Sequence, residues 1–277
     1  MKNSETRGYW EERLAKNFDL SGVGFSSLGK NYNRWMYRVR RHVLLKTLGK
    51  LDYDYHRHLG RTTKILDIGV GTGFYIDFWK KLYQGKAAAV DGVDITAVAV
   101  ERMKKKYPDS QFYVADIGES NVLEMFGKKT YNIISAFDVL FHITNDEKYK
   151  RAIQNIYSLL EPAGIFVLSE NFVHSNLSRA EFQVNRSKEH IERLLEDTGF
   201  QIIERTPMFV LMNAPVNSDS KMRKRCWRVL TRLVSQGESM GFAVGAATYP
   251  IECLLLSVTD KGPSTELIIC KKAQEQK

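Results

Sequence analysis

The chain has 277 residues, 43% of them hydrophobic, and a formal net charge of +9. This length and composition allow a large buried core in one elaborated domain. The three cysteines share no short metal-type spacing, which argues against a disulfide framework and a structural zinc site and favours a reducing, cytoplasmic location: Cys226, Cys253 and Cys270.

The N-terminal stretch, residues 1–13, is polar and carries Glu5, Glu11 and Glu12. These acids suit neither a signal peptide nor a transit peptide. The longest apolar stretch, 241–258, is interrupted by Pro250 and Glu252. A transmembrane span is therefore not expected.

Residues 1–61 are rich in aromatic and basic side chains and are predicted to form an N-terminal helical cap, with a helix from Tyr32 to Leu48. The aromatic residues Trp35 and Tyr37 could pack inside this cap or help to close a binding site. No acid occurs between Asp19 and Asp52, whereas seven bases do: Lys30, Arg34, Arg38, Arg40, Arg41, Lys46 and Lys50. Such a cluster indicates either a solvated helix face or a surface for an anionic partner.

From residue 62 to 206, candidate strands alternate with candidate helices. Several strands are nearly continuous apolar runs, typical of strands buried on both faces of a parallel sheet. The predicted strands are Lys64–Ile68, Ala88–Asp94, Gln111–Ala115, Tyr131–Phe137, Gly164–Ser169 and Phe200–Thr206, and the predicted helices are 74–83, 97–106, 120–127, 146–160 and 187–198. Gly199 follows the last helix at a C-cap position. The pattern predicts a doubly wound α/β fold for residues 62–277.

Residues 207–262 interrupt this alternation before a final strand, Glu266–Lys271. Apolar residues recur there at helical spacing, with basic residues largely on the other side: Met222, Cys226, Val229, Leu230, Leu233 and Val234, against Lys221, Arg223, Lys224, Arg225, Arg228 and Arg232. We expect a helical lid or flank whose apolar stripe packs on the core. The same pattern is compatible with peripheral attachment to a membrane surface, with Trp227 at the interface.

The first strand runs directly into a glycine-rich turn, Gly69-Val70-Gly71-Thr72-Gly73, and then into a helix. Glycines at alternate positions let the backbone approach a ligand closely, and the helix points free N–H groups at it. The turn therefore predicts a nucleotide pocket without specifying the nucleotide.

Acidic residues end the next three strands. Asp94 ends the second strand, where a carboxylate can accept both ribose hydroxyls. Asp116 ends the third, where it can accept an adenine amine while Ile117 donates its backbone N–H. The fourth strand ends on Phe137 and Asp138. Because parallel strands end at one edge of the sheet, all three ends are expected to meet at a single ligand.

In combination, these motifs resemble the class I S-adenosylmethionine-dependent methyltransferases over residues 62–206 and the last strand. The resemblance implies a mostly parallel, seven-stranded sheet with an antiparallel last strand. It also implies that S-adenosylmethionine is the cofactor and S-adenosylhomocysteine the product. The cofactor-binding residues that it implies are Asp67, Gly69, Gly71, Gly73, Asp94, Ile95, Asp116, Ile117, Phe137 and Asp138.

The segment 137–143 and the turn 159–164 are similar to the small-molecule branch of this family. A dinucleotide-dependent dehydrogenase is disfavoured because the third glycine of a G-x-G-x-x-G motif would fall on Phe74. The basic patches are compatible with RNA or DNA methylation, but no Asn/Asp-Pro-Pro-Tyr/Phe tetrad or appended RNA module is recognisable. A non-catalytic subunit that only binds the cofactor is a third alternative.

Methyl transfer from an activated donor needs mainly alignment and exclusion of water, and a general base helps when the acceptor is a hydroxyl. His142, just beyond the fourth strand, is the first candidate base, although a histidine at this place often packs or orders the loop instead. Glu170 and His174, after the fifth strand, could act as base or substrate ligand. Metal binding is not predicted, because His56 and His58 are not accompanied by a ligand cluster.

The two basic clusters favour an anionic or carbohydrate-rich acceptor, such as a sugar hydroxyl. The segments 22–35 and 262–267 are similar to O-methyltransferases of polysaccharide or secondary-metabolite pathways. The sequence therefore predicts O-methylation of a small molecule or glycan, and it gives no acceptor identity or oligomeric state.

Overall fold

The computed structural model describes residues 3–55, 62–84, 87–173, 178–180 and 182–273. Its strands are β1 (Thr62–Ile68), β2 (Ala87–Asp94), β3 (Phe112–Val114), β4 (Tyr131–Phe137), β5 (Leu160–Asn171), β6 (Ser178–Ala180), β7 (Gln183–Asn185), β8 (Phe200–Pro207) and β9 (Thr265–Lys272). Seven of them form one sheet in the order β3-β2-β1-β4-β5-β9-β8, and β6 and β7 pair separately. The histidine-containing linker 56–61 lies outside the described residues.

The first five strands, β1 through β5, are all parallel to one another, and β9 runs antiparallel to both β5 and β8. This arrangement confirms the predicted doubly wound, mostly parallel sheet with an antiparallel last strand. The order of the strands reverses between β1 and β4, since β2 and β3 lie on one side and β5 on the other. Ligands of doubly wound sheets bind at the carboxyl ends of the strands beside such a reversal.

Alternate residues of the central strands enter two separate cores. Ile65 of β1 belongs to the core on one face, whereas Leu66 and Ile68 belong to the core on the other. Ile133 and Ile134 of β4 divide in the same way. Because both faces of the sheet are covered, its strands read as continuous apolar runs in the sequence.

Helices precede, alternate with and follow these strands. The N-terminal helices are α1 (Asn3–Lys16), α2 (Leu20–Val23) and α3 (Gly29–Tyr55). Those between strands are α4 (Phe74–Leu82), α5 (Ala97–Lys106), α6 (Val122–Phe126), α7 (Asp146–Leu159) and α8 (Lys188–Thr198), and those before β9 are α9 (Lys221–Val234) and α10 (Glu238–Val258). Gly199 ends α8 with a left-handed φ of 102°, as its predicted C-cap position requires.

Three differences from the predicted elements have physical causes. α3 begins at Gly29, before the predicted Tyr32, because the Glu238 carboxylate accepts its N-terminal backbone N–H groups at 2.7 Å. β5 begins at Leu160 and includes most of the predicted turn 159–164, where Ala163 has a left-handed φ of 61°. The β6–β7 hairpin was not predicted, since strands of three residues are too short to show a pattern.

The segment 207–262 is anchored along α3. Gly245 of α10 makes room for Trp35, because a Cβ at this position would lie 2.2 Å from Trp35 Cδ1. The fully buried Glu252 carboxylate accepts the backbone N–H groups of Val210, Leu211 and Met212 at 2.6 to 3.0 Å. The Trp35 contact holds α10 against α3, and the Glu252 hydrogen bonds hold it against residues 210–212, which follow β8.

The apolar stripe of α9 does not pack on the core as a whole. Leu230 and Val234 are buried and Trp227 is partly buried against the core. Four other predicted core positions are exposed instead: Met222, Cys226, Val229 and Leu233. The apolar positions span too wide an arc of the helix for one contact surface, so the expectation that they all face the core was wrong.

Candidate functional site

A cavity lies at the carboxyl ends of β1, β2, β3 and β4, with about 1110 Å³ of empty space, part of it open to solvent. Its lining includes eight of the ten predicted cofactor residues, namely Gly69, Gly71, Asp94, Ile95, Asp116, Ile117, Phe137 and Asp138. The sequence therefore identified most of one wall of this cavity.

The glycine turn forms the floor at the end of β1. Gly69, Gly71 and Gly73 have φ values of 75°, 47° and 82°, which favour glycine at each position. A Cβ at Gly69 would lie 2.2 Å from Val139 Cγ2, so the loop passes too close to its neighbour for a side chain. Gly73 begins α4 against Met103 and is absent from the described cavity lining. Its contribution is to the shape of the turn.

Asp94 holds the two sides of the cavity entrance together. One carboxylate oxygen accepts the Gly71 N–H at 2.9 Å, and the other accepts the N–H and hydroxyl of Thr96 at 2.9 and 2.7 Å. Burial raises the pKa of Asp94, while these hydrogen bonds oppose the rise. Because a carboxylate offers about four acceptor positions, the oxygen bonded to Gly71 can still accept from a ligand.

The N-terminal cap is fastened beside Asp94 by a contact that the sequence did not reveal. Thr96 stands at the N-cap position of α5, but its hydroxyl bonds to Asp94 and does not cap the helix. Glu11 of α1 caps it instead, accepting the N–H groups of Ala97 and Val98 at 2.8 and 2.9 Å. Other α1 residues, including Trp10, line the cavity. Helix α1 therefore roofs the site that the strands enclose.

At the adenine end predicted for the pocket, Asp116 is paired with Lys148 of α7. Their charged atoms lie 2.6 Å apart, and Lys148 also contacts Glu119 at 2.5 Å. The second Asp116 oxygen accepts the Gly118 N–H at 3.0 Å. Lys148 is buried and lines the cavity, and it fixes the orientation of the carboxylate. The sequence missed Lys148, since a lysine in the first turn of a helix is usually solvated.

Asp67 lies beneath the glycine turn and outside the described lining. One carboxylate oxygen accepts the Ser135 hydroxyl at 2.6 Å, and Ser135 accepts the Trp79 indole N–H at 2.9 Å. Among the described residues, the second oxygen is buried without a hydrogen-bond partner. Burial raises the pKa of Asp67 to about 8. A ligand bringing a donor or a positive charge would satisfy this oxygen.

Asp138 stands at the end of β4 in a left-handed conformation, with φ at 57°. Its N–H donates to the Ser169 hydroxyl at 2.8 Å, and that hydroxyl donates back to the Asp138 carboxylate at 2.9 Å. The other carboxylate oxygen forms an ion pair with Arg40 of α3, which is buried against the rings of Tyr37 and Phe209. Arg40 was predicted only as part of a basic cluster, and a buried cation of this kind joins the cap to the site.

Aromatic rings form the wall next to Asp138. Tyr75 stacks on Phe137 with ring centroids 4.1 Å apart, and Tyr37 meets Phe74 edge-on at 4.7 Å. All four residues line the cavity. The Tyr75 hydroxyl is buried beside Arg40, whose charge opposes the rise in the Tyr75 pKa that burial causes. The four rings make this wall of the cavity apolar and suited to a flat ring.

His142 lines the cavity as predicted. Its Nδ1 lies 2.6 Å from the carbonyl oxygen of Phe182, and the Trp10 ring packs edge-on against the imidazole at 4.9 Å. Since a carbonyl can only accept, Nδ1 carries the proton and Nε2 has a free lone pair. Burial lowers the pKa of His142 to about 4, so the ring is neutral at physiological pH.

The structure does not bring Glu170, the second candidate base, to the cavity. Glu170 is 1% exposed, accepts the Tyr149 hydroxyl at 3.4 Å and is absent from the described lining. It points to the interior because it follows the fully buried centre of β5. The expectation that Glu170 faces substrate was therefore wrong, and His174 lies outside the described residues.

Glu170→Gln is expected to leave methyl transfer unchanged and to flatten the pH dependence of stability. Burial raises the pKa of Glu170 to about 8, so the folded protein retains a proton that the unfolded chain loses at lower pH. Its contribution to the free energy of unfolding is complete below the ordinary glutamate value and is lost as pH rises through about 8. Urea titrations on both sides of that pH would measure the change in the free energy of unfolding. If Glu170→Gln greatly lowered turnover while stability stayed intact, Glu170 would have a role in the active site.

The segment 207–262, predicted as a lid, supplies none of the described cavity lining. The basic residues of α9 are also absent from it, and Lys148, the lining lysine, is already paired. The cavity is covered by α1 and α3, because Glu11 and Arg40 attach them to the strand ends. Of the predicted lid or flank, the described cavity lining therefore supports a flank.

Comparison with known proteins finds a family model that is similar to the central part of the chain. Residues 65–164 match a family model described as a methyltransferase domain. This range contains the glycine turn, Asp94, Asp116, Asp138 and His142. The match therefore covers the cavity wall that the strand ends build and excludes the N-terminal cap.

One curated relative is the hybrid PKS-NRPS synthetase thnA of Trichoderma harzianum, which is 32% identical over 164 residues. That alignment covers 58% of the chain, and the chain spans only 4% of the length of this relative.

Solved structures share the fold at low sequence identity. Magnesium protoporphyrin IX methyltransferase from Synechocystis PCC 6803 with bound SAM has a TM-score of 0.54 and 15% identity, covering 98% of this chain and 96% of its own. The O-methyltransferase from a trans-AT PKS multienzyme of Brevibacillus brevis, in complex with S-adenosyl-L-homocysteine, has a TM-score of 0.51 and 19% identity, covering 76% and 67%. These likenesses show the fold.

Proposed function

We propose that the protein is a class I S-adenosylmethionine-dependent methyltransferase that methylates a hydroxyl of a small molecule held beneath its N-terminal cap, a proposal supported by the match of residues 65–164 to a methyltransferase domain. The observation that carries this proposal is the cavity, which joins the glycine turn and strand-end acids to an aromatic wall beside His142. Its two ends correspond to a nucleotide site and an acceptor site.

The residues of the nucleotide end fit S-adenosylmethionine. Asp94 would accept the ribose hydroxyls, Asp116 and the Ile117 N–H would hold the adenine, and the glycine turn leaves room for the backbone to approach. The unpartnered oxygen of Asp67 fits a positively charged ligand beside the turn. When bound, the cofactor supplies a methyl group already activated by its sulfonium.

A small acceptor is supported by the roof of the cavity. Helix α1 covers it through Trp10, and Glu11 fixes that helix to α5. An extended nucleic acid would need an open groove, whereas this cavity suits a compact ligand. The stacked rings of Tyr75 and Phe137 favour a flat acceptor, such as an aryl or sugar ring, over a strongly anionic one. Similarity to parts of PKS multienzymes supports a secondary metabolite as the acceptor.

His142 is the proposed general base. Its protonated Nδ1 is held by the Phe182 carbonyl, which leaves Nε2 to take the proton from the acceptor hydroxyl as the methyl is transferred. Asp138, fixed by Ser169 and Arg40, would position the acceptor and cofactor at the end of β4. The cap covers one side of the cavity and so reduces the access of water to the reacting groups.

His142→Ala is expected to lower the turnover number about 100-fold while leaving the dissociation constant for S-adenosylhomocysteine unchanged, since a general base contributes to the rate. In the native enzyme the rate should not fall as pH decreases through 6.5, the ordinary imidazole value, because the pKa of this residue is about 4. His190→Ala, on the surface of α8, is the matched control. An unchanged turnover number in His142→Ala would assign this residue a structural role.

The class of acceptor atom can be identified from the product. Native enzyme and ¹³C-methyl-labelled S-adenosylmethionine would be incubated with a small-molecule extract, and the product examined by carbon NMR. A methyl shift typical of a methoxy carbon supports O-methylation. A shift typical of an N-methyl or S-methyl carbon would contradict it, and would leave no need for His142 to remove a hydroxyl proton.

A further inference from the structure

Helices α9 and α10 present an apolar and basic surface that the proposed reaction does not use. They contact each other and are joined by the short turn 235–237. Their exposed apolar side chains include Met222 at 73%, Leu254 at 66% and Val258 at 72% exposed. Exposed apolar side chains of this size, grouped on neighbouring helices, are characteristic of interaction surfaces.

Around α9, three kinds of residue lie on three different sides. The side facing the core carries Trp227, Leu230 and Val234. About 100° around the helix, an exposed apolar stripe recurs at intervals of four, three and four residues: Met222, Cys226, Val229 and Leu233. A further 100° around lies an exposed basic stripe with the same spacing: Lys221, Arg225, Arg228 and Arg232. The exposed apolar stripe is therefore bordered by cations along the whole helix.

Along α10, the exposed stripe is apolar and uncharged for most of its length. It consists of Met240, Ala243, Ala247, Ile251, Leu254 and Val258, which spans about 27 Å at 1.5 Å per residue. Beside it, the half-exposed rings of Phe242 and Tyr249 contact Trp35, which carries Arg38 on its face at 4.1 Å. Aromatic rings and arginines at the edge of an apolar surface are typical of helices at a membrane interface.

By length and composition, α10 could cross a membrane, and it is the one helix among the described residues that could. Its fold contacts favour a different placement. Glu252 is fully buried and bonded to three backbone N–H groups, and Gly245 is closed over by Trp35. Crossing a bilayer would break these contacts and expose a carboxylate to lipid. The contacts of Glu252 and Gly245 therefore favour a helix that lies on a surface over one that spans a bilayer.

We propose that the α9–α10 face attaches the protein to an anionic membrane surface. Charge complementarity identifies this occupant, because α9 contains six bases and no acid beside an apolar stripe that is free of charge: Lys221, Arg223, Lys224, Arg225, Arg228 and Arg232. A second copy of the same face would bring these bases against one another, which is unfavourable. Anionic headgroups neutralise them while the apolar stripes enter the acyl boundary.

Sedimentation with lipid vesicles tests this proposal. The full chain is expected to bind vesicles of phosphatidylcholine and phosphatidylglycerol, to bind pure phosphatidylcholine far less, and to be released by salt. Each base near an anionic surface contributes roughly fivefold to binding, so Arg225→Glu with Arg228→Glu should lower the partition coefficient at least about 30-fold. Ile251→Ser with Leu254→Ser should reduce binding to both kinds of vesicle.

Matched controls separate attachment from folding and from general charge. Lys104→Glu with Lys105→Glu, on the exposed end of α5, changes the net charge by the same amount and should retain most binding. Met125→Ser is the apolar control, being 46% exposed on α6. Circular dichroism would confirm that each variant is folded. Equal binding to both vesicle types, equal losses in the α5 control, or a dimer that the Leu254 variant dissociates would each overturn the proposal.

Discussion

Asp94→Ala is expected to raise the dissociation constant for S-adenosylhomocysteine about 100-fold, which corresponds to roughly 3 kcal/mol. The carboxylate would accept the ribose hydroxyls, and hydrogen bonds to a charged acceptor contribute about 1.5–3 kcal/mol each. The variant also releases the Gly71 N–H, which Asp94 holds at 2.9 Å. The turn therefore loses its position and the ligand loses its acceptor. Isothermal titration measures the affinity directly.

Asp91→Ala is the control for this change. It lies on the same strand, is also buried, and accepts the Gln111 N–H at 3.0 Å and the Tyr131 hydroxyl at 3.1 Å. It is absent from the described cavity lining, so its replacement should reduce stability and leave affinity unchanged. If native protein and the Asp94 variant bound S-adenosylhomocysteine with equal affinity, this end of the cavity would not be the nucleotide site.

Arg40→Ala is expected to lower the free energy of unfolding by about 3 kcal/mol and to abolish methyl transfer. Arg40 is 6% exposed and forms an ion pair with Asp138, so its removal leaves a carboxylate without its counter-charge. Burial opposes the charge on Arg40, but Asp138 raises the pKa of the guanidinium overall. Loss of the pair also frees α3 from the end of β4. Both changes act at the acceptor end of the cavity.

Urea denaturation and turnover together test the role of Arg40. Arg41→Ala, the next residue and exposed, should change neither quantity appreciably. The double variant Arg40→Ala, Asp138→Ala should recover part of the lost stability without recovering turnover, because it removes the isolated charge and the functional carboxylate together. A stability loss equal to that of Arg41→Ala would show that the pair contributes nothing.

The sheet could be predicted because each central strand is encoded by a short stretch of consecutive residues. Continuous apolar runs identified the central strands, and alternate residues such as Ile65 and Leu66 then filled two cores. The hairpin β6–β7 carried too few residues to show a period. The exposed face of α9 was mistaken for core, since spacing alone shows that a helix is amphipathic but not which of two apolar stripes is covered.

At the site, the residues that the sequence revealed stand at strand ends, whereas those that it missed make contacts between distant parts of the chain. Gly71 and Asp94 stand at strand ends, so topology alone brings them together. Glu11 caps α5 across 86 residues of sequence, and Arg40 reaches Asp138 from the N-terminal cap. No short pattern encodes such long-range contacts. Glu170 was misplaced because a strand end does not show when a side chain turns inward.

Transfer of label from tritiated S-adenosylmethionine into a fractionated cell extract tests whether the protein methylates a small molecule. Native protein and the Asp94→Ala variant would each be incubated with separate small-molecule, glycan, lipid and nucleic-acid fractions. Native protein is expected to place label in the small-molecule or glycan fraction, and the variant to place far less there. Label in nucleic acid alone, or equal label with both proteins, would contradict this expectation.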